Sequence, residues 1–346
     1  MPVALEDNKR TAIAVKLADM KATQNLLIAN EKALIEACPD REISNRLEAF
    51  LKDDQKNLGI INTVIVQYGI KAEPKPTVQK MIEKVSESME SSELSLFEKI
   101  AEHELLKHSQ TMAGLLVHKA AQVVGADIAV AIAPLNTVNF ENRAHQEQLK
   151  GVMEVLSTKE LTGQEADQGL WARVQDAIAA VTGIAGGIIS HNDGGEMSIR
   201  DLIRLDHAKV TALFKQIQNS NDPEKLQECF GQIYKDLTVH AEAEEEVIYP
   251  AIRPYYNDIQ KLYDEQAEMK IALDKIKAMN PSNTEEFKTA VVALMNAVNH
   301  HVEEEQNDMF ARIQTNFSNE QEKRLATEFI AAKSKIQDQT LADKTN

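Results

Sequence analysis

The sequence predicts an all-α protein made of two helical bundles in tandem, the second an up-down four-helix bundle. Three observations predict it. The chain holds 13 glycines and 9 prolines in 346 residues, too few for many short strands and turns. Apolar residues recur three and four positions apart over long stretches and do not alternate. The length suits two domains of roughly 150 residues, each able to bury a core.

The first bundle is expected over residues 1–162. Periodicity predicts a helix from about Glu6 to Ala37, punctuated by Pro39 and Asp40. A second runs to about Tyr68, with Gly69 as its stop. EPKPT (Glu73 to Thr77) cannot lie inside a helix, because Pro74 and Pro76 lack the N–H donor. A shorter helix follows, then a long one from about Glu93 to Val124, ended by Gly125. The last runs from about Asp127 to Leu156, and Pro134 predicts a kink or break within it.

Residues 163–196 read as an amphipathic helix and a glycine-rich linker. Thr162 with Glu165 fits a capping box that opens a helix through Trp171. The helix gives way to VTGIAGGIISHNDGG (Val181 to Gly195). Its polar face is not basic, so packing on its own domain is expected ahead of a membrane surface.

The second bundle is expected over residues 197–337, with a disordered tail at 338–346. Ser198 and Asp201 form a capping pair for its first helix. Asp222 and Pro223 open a second, which ends near Pro250. Pro254 opens a third, which ends near Pro281. Ser282 with Glu285 fits a capping box for a fourth, to about Gln314, and Ser318 with Gln321 starts a further helix. Four helices with short loops pack up and down.

Lys+Arg is 38 and Asp+Glu is 54, a net charge of −16. Residues 1–162 account for −4 and the remainder for −12. No basic face is evident, so nucleic acid and anionic lipid are expected to be excluded as partners. Cys38 and Cys229 are far apart and lack a CxxC partner, which points to a reducing compartment. The N-terminus has no apolar signal core, and no run reaches the roughly 18 apolar residues of a membrane span. A cytoplasmic protein with no membrane span is expected, with a homo-oligomer as a further expectation.

The chemistry lies on the seams of the second bundle. His207 shares a face with Ile199, Ile203, Val210 and Phe214. His240 and Glu244 share one with Ile233, Leu237 and Val247. His301 and Glu305 share one with Val291, Leu294, Val298 and Met309. The four-residue offset in each HxxxE pair sets imidazole and carboxylate one turn apart on one face. Three histidines and two glutamates buried at one level need compensation, and a metal ion supplies it. Imidazole and carboxylate suit iron, manganese or zinc.

At these residues the sequence resembles the hemerythrin-like HHE cation-binding domains. The stretches are IRLDHAKV (Ile203 to Val210), HAEAEEEVIYP (His240 to Pro250) and HVEEEQNDMF (His301 to Phe310), within residues 198–314. The resemblance implies a four-helix bundle with a non-haem site for one or two irons. It implies His207, His240 and His301 as terminal ligands and Glu244 and Glu305 as bridging carboxylates. On the third helix the family usually places histidine after glutamate, whereas this chain reads YDEQAEM (Tyr263 to Met269). Gln266 takes the histidine position, and Gln266 or the adjacent Glu265 is the candidate for completing a second metal position, with Glu268 more remote. A tight first position and a labile second one are expected.

The first half has its own polar candidates: Glu31, Asp54, Glu102, Glu104, His108 and Glu147. Helix count and length resemble a ferritin-like bundle. Its ExxH pairs are absent: Asp54 stands with Asn57 and Glu147 with Lys150. A degenerate scaffold is expected there. The leading functional expectation is a protein that binds iron with dioxygen, peroxide or related oxidants, in iron handling or oxidative-stress defence. A peroxide-detoxifying enzyme comes second, since no dedicated acid–base residue is evident beyond the ligands. A structural protein with a decayed site comes third.

Overall fold

The computed structural model describes residues 8–164 and 197–345, with the side chains of the last helix up to 339. Residues 1–7, Trp171, the glycine-rich stretch and the helix expected to open at Thr162 with Glu165 lie outside this set. The described residues are helical with no strands, as the periodicity predicts.

The first half contains α1 (Asn8–Ala37), α2 (Arg41–Tyr68), α3 (Pro76–Glu90), α4 (Leu96–Val124), α5 (Ala126–Ala131) and α6 (Leu135–Thr162). Asp40 caps α2 by accepting from the backbone N–H groups of Glu42 and Ile43. Gly69 ends α2 at φ +79°, a left-handed conformation that favours glycine. Pro76 is the first residue of α3, where its missing donor costs nothing. Pro134 separates α5 from α6. The latter runs six residues beyond the expected Leu156 and ends at Gly163, so Thr162 closes a helix.

The second half contains α7 (Ile199–Gln218), α8 (Pro223–Ala243), α9 (Tyr249–Ile252), α10 (Ile259–Lys277), α11 (Thr284–Glu304), α12 (Phe310–Asn316) and α13 (Asn319–Thr345). Ser198 and Asp201 form the expected capping box of α7. Two expectations fail locally. Pro254 begins no long helix; it sits in a 3-10 turn, Arg253–Tyr255, and α10 starts at Ile259. The Ser282 box does not form, because Asn283 takes the cap position of α11. The tail expected to be disordered from 338 continues as helix to Thr345.

Each half has two apolar clusters with a buried polar layer between them. In the first half, one cluster holds Leu17, Ile61 and Val138 and the other Leu27, Phe50 and Leu149. In the second, one holds Leu202, Tyr249 and Phe329 and the other Leu213, Ile233 and Leu294. Helix α13 supplies Leu325, Phe329, Ala332 and Ile336 to the former, joining residues of α7, α8, α9, α10 and α12.

The halves meet through buried polar contacts. The Arg10 guanidinium reaches Asp127 at 2.7 Å and Glu228 at 3.1 Å. The Lys209 ammonium donates to the carbonyls of Gln67 and Tyr68 at 2.8 and 3.3 Å, satisfying acceptors at the C-terminus of α2. Lys333 on α13 donates to Gln67 Oε1 at 2.6 Å.

Candidate metal centre

The polar layer of the second bundle is built from α7, α8, α10, α11 and the turns after α8 and α11. His207 comes from α7, His240 from the last turn of α8, His301 from the last turn of α11 and Gln266 from the middle of α10. Glu244 and Glu305 each open a five-residue π-helical turn, Glu244–Ile248 and Glu305–Met309. Such turns insert one residue into a helix and concentrate at functional sites. Here they follow the two HxxxE motifs at identical offsets. The N–H of Tyr249 bonds the carbonyl of Glu244, and that of Phe310 bonds the carbonyl of Glu305.

The five expected ligands converge. His207 Nε2 lies 3.1 Å from Glu305 Oε2, and His240 Nε2 lies 3.3 Å from Glu244 Oε1. His301 Nε2 lies 3.3 Å from Glu305 Oε1. Ligand atoms of His207, His240 and Glu305 fall within 4.8 Å of one another, as do those of Glu244, His301 and Glu305. Each carboxylate therefore turns one oxygen toward each of two positions. Glu244 and Glu305 are fully buried, and His207, the most open of the five, is 8% exposed.

Burial sets the electrostatics. Burial, then the Glu305 carboxylate, push Glu244 well above the usual carboxylate range. Burial acts the same way on Glu305, but the charge of His301, hydrogen bonds from His207 and His301, and the charge of His207 together override it and hold Glu305 well below that range. Burial disfavours protonated His301, yet Glu305 and Glu265 outweigh it and raise its pKa to about 9. Burial lowers His240, against the pull of Asp206. Burial and the two glutamates push the Tyr249 phenol well above its ordinary value.

The donors fit a cation. Three buried atoms face the first position, His207 Nε2, His240 Nε2 and Glu305 Oε2, and a fourth, Glu244 Oε1, lies 3.3 Å from His240 Nε2. None has a hydrogen-bond partner. Buried polar atoms are almost always paired, so four orphans in one cluster mark missing positive charge. Two outer contacts orient the ring ligands: His240 Nδ1 lies 3.0 Å from Asp206 Oδ2, and His301 Nδ1 lies 2.7 Å from Glu265 Oε2. Metal-binding imidazoles depend on such partners for tautomer and orientation.

Two expectations change. Glu265 lies behind the His301 ring, on its outer nitrogen, where it orients and does not reach the cluster. Gln266 does point into the cluster, but through its amide nitrogen, which donates to Glu244 Oε2 at 2.8 Å and to Tyr249 Oη at 2.5 Å. The position expected for a Gln266 or Glu265 ligand is faced instead by the Tyr249 phenol. Sequence reasoning also missed Asp206 and Lys333, which pair at 2.6 Å. Asp206 was readable as the acid beside His207, whereas Lys333 carries no signal on its polar helix.

In the first half, Glu31 and Asp54 converge on the buried Lys107. Its ammonium is 2.9 Å from Glu31 Oε1, bonds Asp54, and is 3.0 Å from His145 Nδ1. His103 Nε2 is 3.3 Å from the same Glu31 oxygen. Glu104 and His108 both contact Gln146, Glu147 pairs with Lys150 at the surface, and Glu102 is half-buried. This layer holds its own cation.

Comparison with known proteins agrees with the geometry. The hemerythrin HHE cation binding domain family matches residues 198–313. A protein of Nostoc sp. (strain PCC 7120) named DNA nickase is 59% identical over 340 residues, covering 97% of both chains. An uncharacterized hemerythrin-like protein of Schizosaccharomyces pombe is 26% identical over 140 residues, 39% of this chain and 68% of that one. No solved structure matches. The Nostoc relative overturns the exclusion of nucleic acid: that expectation rested on total charge, a sum over the whole surface that does not report on a local one. No helix among the described residues is long and apolar enough to cross a membrane. The domain match and the convergent donors support a metal cofactor, and the chain belongs to the family of the Nostoc DNA nickase, with a hemerythrin HHE cation-binding domain at residues 198–313.

Proposed function

We propose that this chain is an iron-binding protein of hemerythrin type that nicks DNA in a metal-dependent reaction. The observation that carries the metal is the set of four orphaned donors, two imidazole nitrogens and two carboxylate oxygens, buried in one cluster. This hard, nitrogen–oxygen donor set suits iron, with manganese or zinc as weaker fits to the family. His207, His240, Glu244 and Glu305 would hold the first ion. His301 with the second oxygens of Glu244 and Glu305 faces the second. DNA as substrate is supported by the 59% identity to the Nostoc protein across nearly the whole chain.

Bound iron supplies electron exchange with dioxygen or peroxide. The protein excludes bulk water from the donors and orients His240 through Asp206 and His301 through Glu265. The experiment is conversion of supercoiled plasmid to open circle by iron-loaded protein, by chelated protein, and by His240→Ala and Glu305→Gln. Nicking that needs iron and fails in both variants supports the reading. Nicking that survives in the variants overturns the role of the cluster. No nicking under any condition overturns the DNA assignment, and the reading then reduces to iron and small-oxidant binding. Treating the nicked circles with ligase separates routes: sealed circles mean hydrolysis, unsealable ends mean oxidation.

A further inference from the structure

The second metal position has only three donors from the expected ligand set: His301 Nε2, Glu305 Oε1 and Glu244 Oε2. The Tyr249 phenol oxygen lies 3.4 Å from Glu244 Oε2, 3.4 Å from His301 Nε2 and 3.5 Å from Glu305 Oε1. These contacts are poor hydrogen bonds, since O–H···O bonds center near 2.7–2.8 Å, and one hydroxyl hydrogen serves one acceptor well. They have the spacing of co-ligands. Two donors about 2.1 Å from one ion, at the tetrahedral angle, stand about 3.4 Å apart. The His301–Glu305 contact of 3.3 Å falls on the same scale.

We propose that Tyr249 is a metal ligand: its phenol oxygen completes the second position with His301, Glu244 and Glu305. The inference rests on the metal-binding reading above. It makes the two positions equivalent in number, with His207 and His240 on one side and His301 and Tyr249 on the other, sharing both carboxylates. Ligation exchanges the phenol hydrogen for the ion and releases one proton to solvent. Gln266 then has a definite role as a positioning residue. Its Nε2–H bond to the phenol oxygen, at 2.5 Å, stabilises negative charge there without ligating. The π-helical turn is what brings Tyr249 to this place: the extra residue after Glu244 returns the side chain five positions on to the face of the cluster. The matching turn carries Phe310, which has no oxygen to offer.

The test uses full-length protein loaded with ferric iron, read by visible absorption, resonance Raman and iron content. Tyr249→Phe keeps the buried ring and removes one atom. The expected result is a visible phenolate-to-iron band with phenolate vibrations in the parent protein. The band vanishes in Tyr249→Phe, and iron falls from about two to about one per chain. Gln266→Ala keeps the band with shifted energy. Two irons with no phenolate band, or a band unchanged in Tyr249→Phe, overturns the assignment. One iron per parent chain without the band also overturns it, while leaving the first position intact. No iron bound at all overturns the metal-binding reading itself.

Discussion

At the scale of single residues, protonation governs the centre. His301 has a pKa raised to about 9, so without metal its ring is protonated at neutral pH. A cation at Nε2 must displace that proton. Glu244, pushed well above the usual carboxylate range by burial and by Glu305, works in the same direction. Affinity should therefore climb as pH rises from 6 to about 9, where the contribution of His301 saturates. The slope is about tenfold per pH unit for each proton released. Competition with a chelator across this range measures it, and a flat profile would remove His301 from the ligand set. The sign is the same as for a site built from ligands already deprotonated at neutral pH, but the window is higher, since the affinity of such a site would change only in acid.

At the scale of elements, the two π-helical turns set the register. Deleting Glu246, an exposed residue of the first turn, restores an ordinary α-helix and sets Tyr249 four positions after Glu244, on the same face. Ile248, Tyr249 and Ile252, all fully buried, would then keep their places. Near-parental helix content by circular dichroism with bound iron retained is expected. Glu246→Ala, which removes only a surface pair with Lys335, should change stability by less than about 0.5 kcal/mol. These turns also mark where the sequence stopped being legible. His207, His240, Glu244, His301 and Glu305 were readable because an offset of four lies on one α-helical face. Tyr249, five residues beyond Glu244, falls off that face on an α-helical wheel and returns only through the inserted residue. The breaks at Gly69 and Pro134 were readable because they rest on backbone chemistry. Pro254 and Ser282 misled because a proline or a serine permits a helix start without requiring one, and the local chain chose Ile259 and Asn283.

At the scale of the whole molecule, two bundles answer the same problem differently. Each carries carboxylates and imidazoles in a buried layer between two apolar clusters. The first neutralises its layer with Lys107, fully buried between Glu31 and Asp54. Lys107→Met should destabilise the protein by about 3–5 kcal/mol in a denaturant melt, because two buried carboxylates lose their counter-charge. Iron content of the second bundle should stay the same. In the second bundle no lysine among the described residues enters the cluster; Lys333 stops one residue short, on Asp206, while its ammonium also holds Gln67 of the first half. This makes a continuous polar path from the first half through Lys333 and Asp206 to His240. Lys333→Met breaks it at the middle: Asp206 stays buried beside His240 with no cation, and His240 loses its fixed orientation. The expected outcome is a loss of about 3–5 kcal/mol in stability together with iron binding weakened by about 10–100-fold. Lys71→Ala, which cuts a more exposed contact between the halves at Asp338, should leave iron affinity unchanged. If both variants weakened iron equally, docking in general would be the cause; a loss confined to Lys333→Met would trace it to the path through Asp206.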